Sequence, residues 1–372
     1  MKNLKWLRWL WPALIALVAV GLYVLLPYFP DFTEQVISRG LFRVVGFPVQ
    51  WVVSLLPVSL TELLVVLGIP AAVVLLVIWV VRLCRGPHRL QRLERGLRFA
   101  AWCVSLVLLV FMLTCGGNFS RRPLAQLMDL PNRQYTVEEL AAVTADLAAK
   151  VSAAREQVAE DEAGCMTLSA SLSDTLLAAD DAYDALRQDY PFLTTAVWRV
   201  KPVALSHLWS YTGYVGVYCP WLGESSVNVD APYCDLGHTA THELAHTMGF
   251  AKEKECNFLA YLACITSGQP DYVYSGYLSA YIYCSNTLYK ADKAAWGESY
   301  KACSPAVRRD LKQRNAYWKQ FQGEVMESSQ QVNDTFIKVN GVESGSFSYG
   351  EMVELVLQHY DKTGWLAALN KH

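Results

Sequence analysis

Three apolar stretches near the start of this 372-residue chain constrain its fold more than any other feature. Residues 9–28, 63–81 and 99–115 are each long enough, as helices, to cross a hydrocarbon core of about 30 Å. With 53% hydrophobic residues and a mean hydropathy of +0.18, the chain is too apolar for a simple soluble enzyme, and the excess sits in this first third. The first stretch follows Lys2, Lys5 and Arg8, as a signal peptide would, but Pro27, Tyr28 and Pro30 come next and no small-residue cleavage site follows. It is read as a span. Residues 42–60 are moderately apolar and interrupted by Pro48 and Pro57, which reads as an interfacial or re-entrant segment. A membrane domain over residues 1–116 with three spans is therefore expected, with the lipid bilayer as one partner.

Charge sets the orientation. Arg82, Arg85, Arg89, Arg92, Arg95 and Arg98 face a single Glu94 between the second and third spans. Basic residues concentrate in short cytoplasmic loops, so this loop is expected inside the cell and everything after residue 117 outside it. A loop pinned between two membrane helices has its charge for topology, and no nucleic-acid partner is expected. The net charge of −2 adds nothing about partners.

Residues 117–135, with Gly117, Arg121, Arg122, Pro123 and Pro131, read as a linker, and residues 136–372 as an extracytoplasmic domain. Thr136 and Glu139 form a capping box that opens an alanine-rich helix over 137–162. A second helix fits 173–189, whose Asp180, Asp181 and Asp184 read as a solvated face rather than a calcium loop. Between 197 and 229 the pattern turns to β-branched and aromatic residues broken by glycine and proline, with strands at 214–218 and 226–229. Later helices are predicted at 271–289, rich in tyrosine, at 304–331 and at 349–360. Of ten cysteines, seven fall outside the membrane domain. Cys219 with Cys234, or Cys284 with Cys303, could close loops of moderate length, and the others read as small buried hydrophobes.

One motif names a chemistry. His242, Glu243 and His246 form an HExxH run. On a helix, positions four apart lie on one face, so both imidazoles can hold one metal while Glu243 stands beside it. The plain alternative is a helix with two satisfied histidines. A catalytic zinc needs a third protein ligand. Gly249 can end the helix, and the next segment starts with Glu253-Lys254-Glu255 and continues with apolar residues at helical spacing. Glu253 and Glu255 both fall in its first turn, and two steps along a helix turn a side chain away, so only one reaches the metal. Glu253 is preferred. Asn257, one turn later, is placed to hydrogen-bond the outer nitrogen of a ligating histidine. Glu255 is then expected to be solvated or paired with lysine.

Here the chain resembles the zincin metallopeptidases of the gluzincin type, in which HExxH on one helix precedes Glu-x-x-x-Asp/Asn on the next, the places of Glu253 and Asn257. It is more closely similar to an uncharacterised bacterial membrane family, the domain of unknown function 3810, with membrane helices followed by HELAHxxGFAxExEANFLAYLAC. His242 to Cys264 matches that run, with Cys256 where the family has alanine. Residues 212–218, 220–228 and 348–350 also match. The resemblance implies an α+β, mainly α, chain: a zincin-like ectodomain with a small antiparallel sheet and the HExxH helix.

It also implies one zinc ion as cofactor, held by His242, His246 and Glu253. Glu243 would be general base in hydrolysis of a peptide or cell-envelope substrate. Tyr349, His359 and Tyr218 are candidates to stabilise the oxyanion. Two other classes stand beside this: a non-catalytic receptor or assembly protein with the same fold, and a transporter. The second is poorly supported, since no charge interrupts the apolar spans.

Overall fold

The computed structural model describes residues 7–85, 87–343 and 352–369. The chain forms two compact units, Met1–Arg121 with Cys219–Glu224, and Arg122–Tyr218 with Ser225–His372.

Among the described residues of the first unit, four helices are long and apolar enough to cross a membrane: α1, Leu7–Tyr28; α2, Pro30–Ser54; α3, Leu60–Arg85; and α4, Arg89–Thr114. Sequence reading expected three. Pro48 lies inside α2 rather than ending it, because proline removes one backbone bond but its φ suits a helix. The break comes at residues 55–59. There Ser59 caps α3, and the Glu224 carboxylate accepts bonds from Ser59 Oγ at 3.0 Å, Leu60 N at 3.0 Å and Thr61 N at 2.8 Å. A carboxylate at a helix N-terminus satisfies otherwise orphaned amides and meets the positive end of the helix dipole.

The second unit is built on helices. The capping box predicted at Thr136 and Glu139 is present and opens α5, Val137–Arg155, which is shorter than expected. The helix expected at 173–189 is broken into Leu172–Leu177, a 3₁₀ turn at Asp181–Tyr183 and Asp184–Asp189. Arg187 reaches back to Asp180 and Asp184, so that acidic cluster is partly neutralised rather than simply solvated. Helices α6, Leu236–Thr247; α7, Glu253–Thr266; and α8, Pro270–Ala291, follow. The predicted 304–331 helix divides at Gly323; after α9, Lys293–Ala302, come α10, Pro305–Lys319, and α11, Glu324–Val339. Helix α12 spans Met352–Lys362. Tyr272, Tyr274 and Tyr281 are among the largest fully buried side chains, so the tyrosine-rich helix α8 is core.

The sheet departs from expectation. Strands β1, Lys201–Pro202; β2, Gly216–Cys219; and β3, Glu224–Val227, lie in the order β1-β3-β2, and β1 pairs β3 in parallel with Lys201 opposite Ser226. The sheet is thus mixed rather than antiparallel. A short loop joins β2 to β3 as a hairpin, whereas β1 returns to β3 through a longer crossover carrying the helical turn Ser206–Ser210. Residues 117–135, read as a linker, are packed: Leu124, Met128 and Leu130 belong to the core of the second unit. All ten cysteines are free thiols, so neither candidate disulfide forms, and the seven beyond the first unit's helices are buried.

A buried polar network pins this core. Arg155 Nε meets Asp310 Oδ2 at 2.6 Å, with side chains 3% and 0% exposed, and Tyr274 Oη and Met166 N donate to the same carboxylate. Removing one partner of a buried ion pair strands the other charge, which typically costs about 3–5 kcal/mol. Asp310→Ala is expected to lower unfolding stability by about that amount in denaturant titration of the detergent-solubilised protein; an unchanged midpoint would show the network to be dispensable.

Candidate metal centre

Helix α6 carries the HExxH run through the core. Leu236, Ala240, Leu244 and Ala245 are buried on all sides, and Thr239 and Thr241 return their hydroxyls to the carbonyls of Asp235 and Gly237. The helix ends at Gly249, whose φ of 85° lies in the left-handed region, with Gly249 N and Phe250 N closing back on His246 O and Ala245 O. This turn sends the chain into α7 with Glu253 in its first turn. The stop and the return fall at the residues expected from the sequence.

Three side chains converge as a result. Glu253 Oε2 lies 3.2 Å from His242 Nε2, and Glu253 Oε1 lies 3.8 Å from His246 Nε2. One ligand atom from each of the three residues falls within 4.8 Å of the others, the only such group of three among the described residues. The outer nitrogen of His246 is fixed by its neighbour: Nδ1 lies 2.8 Å from the Phe250 carbonyl, which can only accept. That bond holds the proton on Nδ1 and leaves the Nε2 lone pair facing Glu253. Cys256 Sγ sits 3.3 Å from the same Nδ1 and 3.3 Å from the same carbonyl, so the thiol joins the support of this histidine. Nothing in the sequence pattern marked that role.

The other candidates are placed as follows. Asn257 stands where it favours the protonated form of His242, although His242 Nδ1 and Asn257 Nδ2 both remain buried without a hydrogen-bond partner. Glu255 is neither solvated nor paired with lysine. It is buried and accepts a 2.9 Å bond from Leu124 N, since two steps along α7 turn it away from Glu253. Tyr218 stacks on the His246 ring with centroids 5.8 Å apart. His359 packs edge-on against Phe258, and burial holds its pKa down at about 4. Tyr349 lies outside the described residues.

Electrostatics separate the acid from the bases. Burial lowers the pKa of His242, but the hydrogen bond and charge of Glu253, with Glu243 and Asn257, outweigh it and raise the net value. For His246 burial wins over Glu253, and the pKa falls. Glu243 is 4% exposed, and burial pushes its carboxyl up to about 8 against the opposing pull of His242. Its Oε2 has no hydrogen-bond partner. Strand β2 closes over this carboxyl. A Cβ on Gly216 would collide with Glu243 Oε1, so the backbone approach requires glycine. Ser225 Oγ on β3 donates to Glu243 O at 2.7 Å and ties α6 to the sheet. Burial and Glu253 together raise the pKa values of Tyr214 and Tyr283, which places both within the field of that carboxylate. In the sequence no motif distinguishes Tyr283 from the other tyrosines of α8.

The Glu243 shift carries a pH signature in metal-free protein. Its folded pKa of about 8 exceeds the ordinary 4.5, so between these values the folded state keeps a proton that the unfolded chain releases. Stability from this group is therefore full below the lower value and is lost as pH rises towards the higher. After chelation, the full-length protein is expected to lose thermal stability from about pH 5 to about pH 8 more steeply than Glu243→Gln. Equal slopes would contradict the burial of a proton on Glu243.

Comparison with known proteins gives one match. The family described as "Protein of unknown function (DUF3810)" matches residues 37–357. No curated protein and no solved structure matches the chain. The matched stretch runs from the second helix of the first unit to the last long helix of the second, enclosing His242, His246 and Glu253, and the chain belongs to the DUF3810 family.

Proposed function

We propose that the second unit is a zinc metallopeptidase of zincin-like design, anchored by the membrane helices of the first. The observation that carries the reading is the convergence of His242 Nε2, His246 Nε2 and the Glu253 carboxylate beside a buried Glu243 oxygen that has no partner. Two imidazoles and one carboxylate are a donor set of catalytic zinc sites, which keep a position open. The orphaned Nδ1 of His242 and the carbonyl-fixed Nδ1 of His246 leave both Nε2 atoms for the ion. Zinc, when bound, supplies Lewis-acid polarisation and makes a nearby water more acidic.

The chain's own groups supply the rest. With a dication held by His242, His246 and Glu253, the Glu243 carboxyl would return to its ionised form, because opposite charge would offset the burial that raises its pKa. Glu243 Oε2 then takes the proton of the attacking water and returns it to the leaving amine. Gly216, lacking a Cβ, leaves room for the Glu243 carboxylate beneath β2. Strand β2 lies at the edge of the sheet, so an extended peptide can pair with it and present a carbonyl above Glu243. Tyr218, stacked on His246, is the described oxyanion candidate nearest the site. A peptide or a cell-envelope amide is the substrate class that this chemistry serves. The arginine-rich turn between α3 and α4 favours the cytoplasmic side, which puts the second unit outside the cell.

Glu243→Gln keeps shape and size but cannot accept the proton. In the full-length protein it is expected to retain bound zinc and to lose about 10²–10⁴-fold in hydrolysis of a mixed peptide library followed by mass spectrometry. Full activity in zinc-loaded Glu243→Gln would remove it as general base. No hydrolysis by zinc-loaded wild type would favour a receptor or assembly protein that holds zinc without turnover.

A further inference from the structure

We infer that α2, Pro30–Ser54, does not cross the membrane but lies along one lipid–water interface, with its apolar face in the lipid and its polar face on the protein. The direction of the other helices carries this. Helices α1 and α4 run parallel: Ser105 Oγ, past the middle of α4, bonds Pro12 O near the start of α1 at 2.8 Å, and Met112, further along α4, packs with Ala19 and Leu26, further along α1. Helices α3 and α4 run antiparallel, since Arg92 Nη1 bonds Arg82 O at 2.8 Å and the Trp79 ring covers Gly96. If α1, α3 and α4 each cross, α1 ends and α3 begins at the same face. A helix joining those two points cannot also cross. A crossing by α2 would reverse α3 and α4 and make α4 antiparallel to α1.

The contacts of α2 agree along its length. Glu34 is fully buried and bonds Arg121 Nε at 2.8 Å and Nη2 at 2.9 Å, while Ser38 Oγ donates to Asn118 Oδ1 at 2.8 Å; both partners follow the end of α4. At the other end of α2, Gln50 touches Gly223, beside the Glu224 cap on the start of α3. Both ends thus sit where α1 and α4 finish and α3 begins. The faces are inverted relative to a helix of a soluble protein. Thr33, Glu34, Ser38, Gln50 and Ser54 are buried, whereas Phe32, Val36, Val44, Trp51 and Val52 are exposed, Val44 at 72%. Those exposed positions repeat at helical spacing. Tyr28, Phe29, Trp51 and Trp221 lie exposed at this same end, as aromatic residues do at the membrane interface. Exposed Leu25, Tyr28 and Phe29 at the end of α1 lead directly into exposed Phe32 and Val36, so the apolar face of α2 continues that of a span, which argues for lipid as its occupant rather than a protein partner.

The test uses full-length protein in proteoliposomes, with Cys84, Cys103 and Cys115 replaced by serine and one nitroxide label at Val36, Val44 or Val52. Depth from oxygen and nickel-complex relaxation is expected to be shallow and similar at all three. A crossing helix would separate Val36 from Val52 by about 24 Å at 1.5 Å per residue, and a spread above about half of that overturns the inference. Independently, cysteines at Arg8 and Leu90 are expected to react with an impermeant maleimide from the same face of the membrane. Reaction from opposite faces would overturn it as well.

Discussion

Two imidazoles one turn apart on α6 point their Nε2 atoms at a single carboxylate from the next helix, and much of the second unit is arranged around that meeting. The left-handed turn at Gly249 returns the chain so that Glu253 faces the histidines, and the carbonyl of the same turn, Phe250 O, fixes the His246 tautomer. Glu255, turned the other way, bonds Leu124 N and holds a segment that precedes α5. The core absorbs a buried carboxyl, Glu243, with an oxygen left unpaired, a feature that destabilises by about 1–3 kcal/mol and persists where a site has use for it.

What the sequence made legible was local. The i, i+4 histidines, the glycine stop and the Glu253 start lie within one short segment, and helix geometry alone brings them together. The Thr136–Glu139 box was legible for the same reason. What it hid depends on contacts between distant segments. Gly216 is needed only because β2 passes over Glu243, and Cys256 supports His246 only because α7 folds back. The parallel β1–β3 pair arises from a crossover whose path no periodicity records. The break at Gly323 shows that a polar helical pattern does not reveal where one helix ends and another begins.

The first unit gives the same lesson for membranes. By length and composition α2 qualifies as a span, yet Glu34, Ser38 and Gln50 turn inward to the protein beside Ile37, Phe42 and Val53, while Phe32, Val36, Val44, Trp51 and Val52 turn outward. Two prolines suggest a non-spanning segment at 42–60, and the parallel course of α1 and α4 supports the inferred placement of α2 independently of Pro48.

His242, His246 and Glu253 are proposed to hold a zinc ion. Elemental analysis of the purified full-length protein tests this most directly, with Glu253→Ala and Glu255→Ala measured alongside. One zinc per chain in wild type and Glu255→Ala, with little in Glu253→Ala, is the expected result. No zinc in well-folded wild type, or loss in Glu255→Ala with retention in Glu253→Ala, would contradict it.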